Sequence, residues 1–348
     1  MAYTTVDDPS ENFQAKIYEG TSGIHNVTLD GNSDMQPDWV WFKNRDVAYS
    51  HQLYDSSRGT TKALFSDLTN AETTISNGLT RFDPDGFRVS SAAAINEDSI
   101  VCWNWKANAG TTSTDTSGDI NSTVQANQDA GFSIVTYNPS NTTTRNIGHG
   151  LGVKPDCIII RNRTRIENWR VWFNVIGQGA LTLDGTATYT VNSNLVNSAT
   201  SSTFNVGGDF SVNGNYPYVA YCFAEKQGYS KFSKYVGNGA NNGSFIYTGF
   251  APAFVMIKNT STPTNWEMFD VKRNPSNVRN LKLGANLAVA ENGSDLGNTN
   301  QNNIDILSNG FKLRDTDADH NQSGQSMVYM AFAENPFTTS TGIPTTAR

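Results

Sequence analysis

Charge is scarce in this sequence. Lys, Arg, Asp and Glu make up 16% of its residues, and the balance is −7 at neutral pH. A chain that thin in cations has no basic patch with which to grip nucleic acid, so no nucleic-acid partner is expected. Long apolar runs are missing too: nothing approaches the ~20 residues needed to cross a bilayer as a helix, and no membrane insertion is expected. The start, Met1 to Asp8, has neither a basic region nor an apolar core. It does not read as a secretory signal, which points to a soluble protein made in a cytoplasm. Cysteine is limited to Cys102, Cys157 and Cys222. An odd count without a Cys-x-x-Cys pair, each inside an apolar stretch, predicts buried reduced thiols instead of a disulfide framework.

Catalytic and metal-binding patterns are equally sparse. The four histidines, His25, His51, His149 and His320, stand at no metal-ligand spacing. His149, between glycines, reads as a turn residue. Asp315, Asp317 and Asp319 alternate in a way that suggests calcium, but the sixth and twelfth places of an EF-hand loop hold His320 and Ser326 in place of Gly and Glu. The segment reads as a solvated hairpin loop. Glu225 and Glu334 follow matching apolar strands, yet paired-carboxylate chemistry needs two acids facing each other, and these belong to different parts of the chain. Phosphate-loop, dinucleotide and nucleophile-elbow motifs are absent. The expectation is a non-enzymatic protein with no catalytic, cofactor or metal residues.

What the chain does have is aromatics (18 Phe, 13 Tyr and 7 Trp) among Gly, Asn, Ser and Thr. Bulky flat residues suit pleated faces, and small polar ones suit tight connections. One phrase recurs: Pro37-Asp38-Trp39-Val40-Trp41-Phe42-Lys43-Asn44, Pro155-Asp156-Cys157-Ile158-Ile159-Ile160-Arg161-Asn162 and Pro252-Ala253-Phe254-Val255-Met256-Ile257-Lys258-Asn259. Four bulky residues between turn signals read as a strand buried on both faces, with the cation and Asn marking its emergence into water. Other landmarks keep step. Opening strands lie at Phe13 to Tyr18, Phe132 to Tyr137 and Phe232 to Tyr235. Later strands begin at Gly86-Phe87, Asp209-Phe210 and Gly310-Phe311. Closing strands run from Val101 to Trp105, Val219 to Phe223 and Val328 to Phe332. Three landmarks in one order, three times, indicate a triplicated unit.

The fold expected is all-β, three tandem antiparallel β-sandwich modules of a lectin-like or jelly-roll-like kind. The divisions are an N-terminal arm (1–12), repeat 1 (13–107), a polar linker (108–131), repeat 2 (132–227), repeat 3 (228–337) and a polar tail (338–348). The arm, polar and acidic, is expected to stay disordered unless held. Each corner after the central strand carries Asp-x-x-Arg in two copies, Asp55 with Arg58 and Asp270 with Arg273. An Arg three residues on can clamp the same carboxylate, so the pair reads as structural. The second copy has Asn174 instead and no Arg.

Gly-Leu-Gly-x-x-Pro-Asp-x-Ile-Ile-x-Arg-Asn-Arg at 150–163, Tyr-Val-Ala-Tyr-Cys-Phe-Ala-Glu-Lys at 218–226 and Tyr-x-Gly-Asn-Gly at 235–239 resemble a domain family of marine tailed phages, especially cyanophages. The likeness covers most of 13–337. It implies a virion structural protein: a tail fibre, spike, knob or capsid decoration, synthesised in the host cytoplasm. It also implies self-association, as a trimer for example, together with other virion proteins as partners, and a contribution to host attachment through cell-surface glycan. No functional residue carries over. The alternative is a carbohydrate-binding, lectin-like protein with Trp41, Trp169 or Trp266 stacking on sugar; a polysaccharide depolymerase is the third reading.

Overall fold

A computed structural model describes residues 3–296 and 303–345. Nearly all its regular structure is antiparallel β, as the composition predicts. Three major sheets share one strand order: opening, closing, central, corner. The opening strands are Phe13–Glu19, Phe132–Tyr137 and Ser230–Val236. The closing strands are Ser99–Trp105, Tyr218–Phe223 and Ser326–Pro336. Between closing and corner strands lie the central ones, Trp39–Asn44, Cys157–Asn162 and Phe250–Asn259. The corner strands are Gln52–Asp55, Arg170–Phe173 and Trp266–Asp270. Register is identical across the three: Trp41 faces Trp103, Ile159 faces Tyr221, and Met256 faces Met330.

Because side chains alternate along a strand, each major sheet has two apolar faces. One packs on a three-stranded minor sheet. The middle strands of these minor sheets are Gly86–Val89, Thr203–Val206 and Gly310–Leu313, and Phe87, Phe204 and Phe311 fill the gap beneath them. The second copy was expected to start this strand at Asp209-Phe210. Those residues lie in a turn, and Thr203-Phe204 holds the equivalent place. A Thr where the other copies have Gly hid it.

The other faces of all three major sheets meet in one central core. Trp105, Phe223 and Phe332, equivalent by register, form a triangle with ring centroids 5.6–6.5 Å apart. Trp39 stacks on Tyr221 at 4.2 Å, joining the first sheet to the second. The sandwiches are therefore fused through a shared interior.

This interior also claims segments that read as loose. Val6 of the arm is buried in the central core, and the Asp8 carboxylate accepts the Ser10 N–H to cap a turn over Pro9–Glu11. The described part of the arm is ordered because its own chain holds it. Ser340 of the tail donates to Asp7 through backbone and hydroxyl; residues 1–2 and 346–348 lie outside the described ones. The span 108–131 holds two strands, Ser113–Asp115 and Ser122–Asn127, which extend the second sheet to seven. Its polar composition is compatible with burial because partners are supplied. Gln125, fully buried, accepts from the Gly110 N–H and donates to Ser56 and Ser57.

Phe223→Ala should cost about 3–5 kcal/mol. If the core is shared, calorimetry of the whole chain should show one cooperative transition that moves down as a unit. Three separable transitions, with only one displaced, would contradict the shared interior.

Candidate functional site

The repeated polar residues point inward. Lys43, Arg161 and Lys258 are buried, as are Asn44, Asn162 and Asn259, so the expectation that they meet water at the strand end is wrong. Each Asn uses its side-chain oxygen to accept two backbone N–H groups, two and three residues on, which turns the chain. Each cation donates its hydrogen bonds to backbone carbonyls, and two reach the preceding repeat: Arg161 donates to Thr69 and Asn70, Lys258 to Thr186. A buried charge survives only with such partners.

His51, Trp169 and Trp266 occupy one equivalent position at the start of the corner strand. Each makes the same tie. Trp169 Nε1–H donates to the Phe65 carbonyl at 2.7 Å, Trp266 Nε1–H to Thr182 at 2.8 Å, and His51 Nε2 meets the Gly284 carbonyl at 3.0 Å. Trp41 Nε1–H donates to His51 Nδ1, so Nε2 carries the proton. Burial, with Lys43 nearby, holds His51 well below the usual histidine range and keeps it neutral.

The Asp-x-x-Arg corners are clamps, as predicted. Arg58 Nε–H donates to Asp55 and Arg273 Nε–H to Asp270, both at 2.5 Å and both fully buried. Each clamp also binds the next repeat. Tyr221 donates its hydroxyl to Asp55, and Trp103 its indole N–H to Asp270. Glu72 then bridges Arg58 to Arg163, and Glu291 bridges Arg273 to Arg45. Burial works against ionised Glu72 and Glu291, but the flanking guanidinium groups hold both below the usual carboxylate range. At the join of the second and third repeats every part is neutral, and the register corrects the expectation for Asn174: it matches Ser56 and Val271. Phe173 stands where Asp55 and Asp270 do, Ile176 for the clamp Arg, Tyr189 for Glu, Thr260 for the bridged Arg, and Met330 where Tyr221 and Trp103 stand. The backbone bond persists in all three, from Glu72, Glu291 and Tyr189 N–H to the carbonyls of Arg163, Arg45 and Thr260.

The segment at 315–321 is not a solvated hairpin. It forms one helical turn, Ala318–Asn321, and Asp315, His320 and Asn321 are buried. His320 bonds Glu267 through Nδ1 and lies 2.8 Å from Asp315 through Nε2; Lys282 reaches Glu267 at 2.5 Å and Asp317 at 2.8 Å. Glu267, Asp317 and His320 converge as metal ligands would. Lys282 already sits on two of them, where a metal ion would have to displace it. Burial lowers the His320 pKa, but Glu267 and Asp315 outweigh it and raise the value to about 10. Asp319 is raised to about 7 by burial and by its acidic neighbours Glu267 and Asp317.

Of the remaining candidates, His149 is buried in a turn beside the Thr200 carbonyl, and His25 contacts the Asn96 side chain. Glu225 pairs with Lys231, while Glu334 borders surface clefts of the third repeat. Trp41, Trp169 and Trp266 are at most 1% exposed and cannot stack on sugar. The exposed aromatics lie elsewhere: Phe210 of the second repeat, 43% exposed beneath the Arg165 guanidinium, and Phe245, Tyr247 and Phe337, which are 44%, 55% and 39% exposed. Sequence reasoning passed over the last three, although Phe245-Ile246-Tyr247 alternates and places both rings on one side of a strand.

The class these features define is an all-β protein of three interlocked sandwiches whose repeated charges tie sheets together. The chain belongs to a family described as a domain of unknown function, DUF7483, which matches residues 8–336. No curated protein and no solved structure matches it.

Asp270→Asn should cost about 3–5 kcal/mol by breaking the buried pair with Arg273, which then keeps Glu291 alone as its counter-charge. Asp270→Asn with Arg273→Met should recover part of that loss in a double-mutant cycle read by urea unfolding. An Asp270→Asn chain as stable as the parent would show that the clamp is idle. The His320 cluster sets a pH limb. Its folded pKa lies above the ordinary ~6.5, so its contribution is complete below that value and fades as pH rises through about 10. Asp319, also raised, acts in the same direction. The melting temperature should fall from pH 6.5 to 10, and His320→Gln should lower it at pH 6 and flatten that limb.

Proposed function

We propose that the chain is a non-enzymatic structural protein of a phage virion, as a tail fibre, spike, knob or capsid decoration, and that it contributes to host attachment. The observation that carries this reading is the inward use of the repeated motif. Two of its cations and the clamp acids join repeats, and its Asn residues turn the chain within each repeat, so the chemistry that recurs serves construction. The phrases at 150–163, 218–226 and 235–239 that resemble cyanophage proteins belong to this same framework. Attachment is favoured by half-exposed aromatics on the third repeat. Copies displayed together on a particle would turn weak individual contacts into firm adhesion. Its partners in this reading are other virion proteins, further copies of the chain, and glycan on the host surface.

Mass spectrometry of purified particles from a phage encoding this chain should find it in stoichiometric amount, and a cryo-electron map should contain its density. Particles that lack it while infecting normally would end the proposal.

A further inference from the structure

The minor sheet of the third repeat differs from its two sisters on the outside. Its first strand, Phe245–Tyr247, pairs so that Ile246 faces Phe311 inward, as Ile147 faces Phe204 and Val27 faces Phe87. The residues on either side point outward. In the first two repeats these are Asn26 and Thr28, and Asn146 and Gly148; in the third they are Phe245 and Tyr247. The framework is thus built twice without aromatics there, so packing does not require them. Two distant segments add rings at the same spot. Tyr3 lies 6.2 Å from Phe337, centroid to centroid, and its hydroxyl is 3.5 Å from that of Tyr247. Tyr3 also donates to the Gly249 carbonyl at 2.5 Å, which pins the shelf in place.

Beside this shelf opens a cleft of about 330 Å³, bordered by Ser308, Asn309, Asn335 and Thr345. Shelf and cleft share a wall. The Asn309 carbonyl accepts the N–H groups of Thr248 and Gly249, and the Thr345 N–H donates to Phe337. Among the described residues lining the cleft, Glu334 alone is charged. A cleft at the small end of ligand-site sizes (~300–1,000 Å³), lined by aliphatic side chains and a few polar groups and adjoining a shelf of rings, has the makeup of a small-ligand site. Sugar rings present C–H faces that lie on aromatics and hydroxyls that pair with amides and alcohols. With no cation lining the cleft and a net charge of −7, an anionic ligand is disfavoured.

We propose that Tyr3, Phe245, Tyr247 and Phe337 form the stacking shelf of a neutral-glycan site, with the adjoining cleft receiving one sugar residue. The proposal deepens the attachment reading and rests on it only for the source of the glycan. The test uses the whole chain and the double variant Phe245→Asn with Tyr247→Thr, which installs residues the first repeat carries. On an array of neutral oligosaccharides the parent should bind a subset. The variant should melt at the parent's temperature and bind that subset at least about tenfold more weakly, by titration calorimetry. A parent that binds no neutral oligosaccharide, a variant that binds as well as the parent, or a shelf needed only for a protein partner would each overturn the site. Incorporation into particles, measured separately, reports on the virion reading: particles that carry the variant but adsorb poorly support both, and a glycan-binding chain absent from particles sinks only the latter.

Discussion

Three sheets turn one bulky face each toward a common axis, and everything else follows from the need to close that space. Trp105, Phe223 and Phe332 come to the same level because their strands share one register. Rings of that size leave no room for water, so the backbone and polar groups around them need partners within the protein. The repeated Lys or Arg, the repeated Asn and the indole or imidazole at the corner supply those partners. A polar residue in this protein is therefore most often a fastener.

The corner clamps show how such fasteners depend on one another. An Asp, its Arg, a donor from the next repeat and a bridging Glu occur together at two joins. At the third join all four are replaced by neutral residues. The physical reason is that the acid cannot be kept alone: without Tyr221 or Trp103 as donor and an Arg as counter-charge, a buried carboxylate is too costly. Loss of one part favours loss of the others, while the backbone bond between repeats, which needs no particular side chain, is retained in every copy.

Much of this could be read from the residues. The central strands, the closing strands and the Asp55–Arg58 and Asp270–Arg273 clamps are where alternation and spacing put them. What escaped were features decided by distant parts of the chain. Gln125 and Val6 are buried because the first repeat and the central core receive them. Lys43, Arg161 and Lys258 look like strand-end charges until the neighbouring carbonyls are in place. The 315–321 segment looked solvated because its counter-ions, Lys282 and Glu267, lie far off in sequence. Thr203, standing where Gly86 and Gly310 stand, hid one strand start. The aromatic shelf was hidden for the opposite reason: Tyr3, Tyr247 and Phe337 have no sequence proximity, and only folding gathers them.

Closure into a ring has one more consequence. Each repeat grips the one before it through Trp169, Trp266 or His51 and the one after it through a backbone bond at the next join. The peptide that runs from one repeat to the next is thus not what keeps them together. Were a protease to nick the exposed stretch around Thr111 and Thr112, both fragments would still be clasped on two sides. A molecule built this way should keep its shape after its chain has been broken.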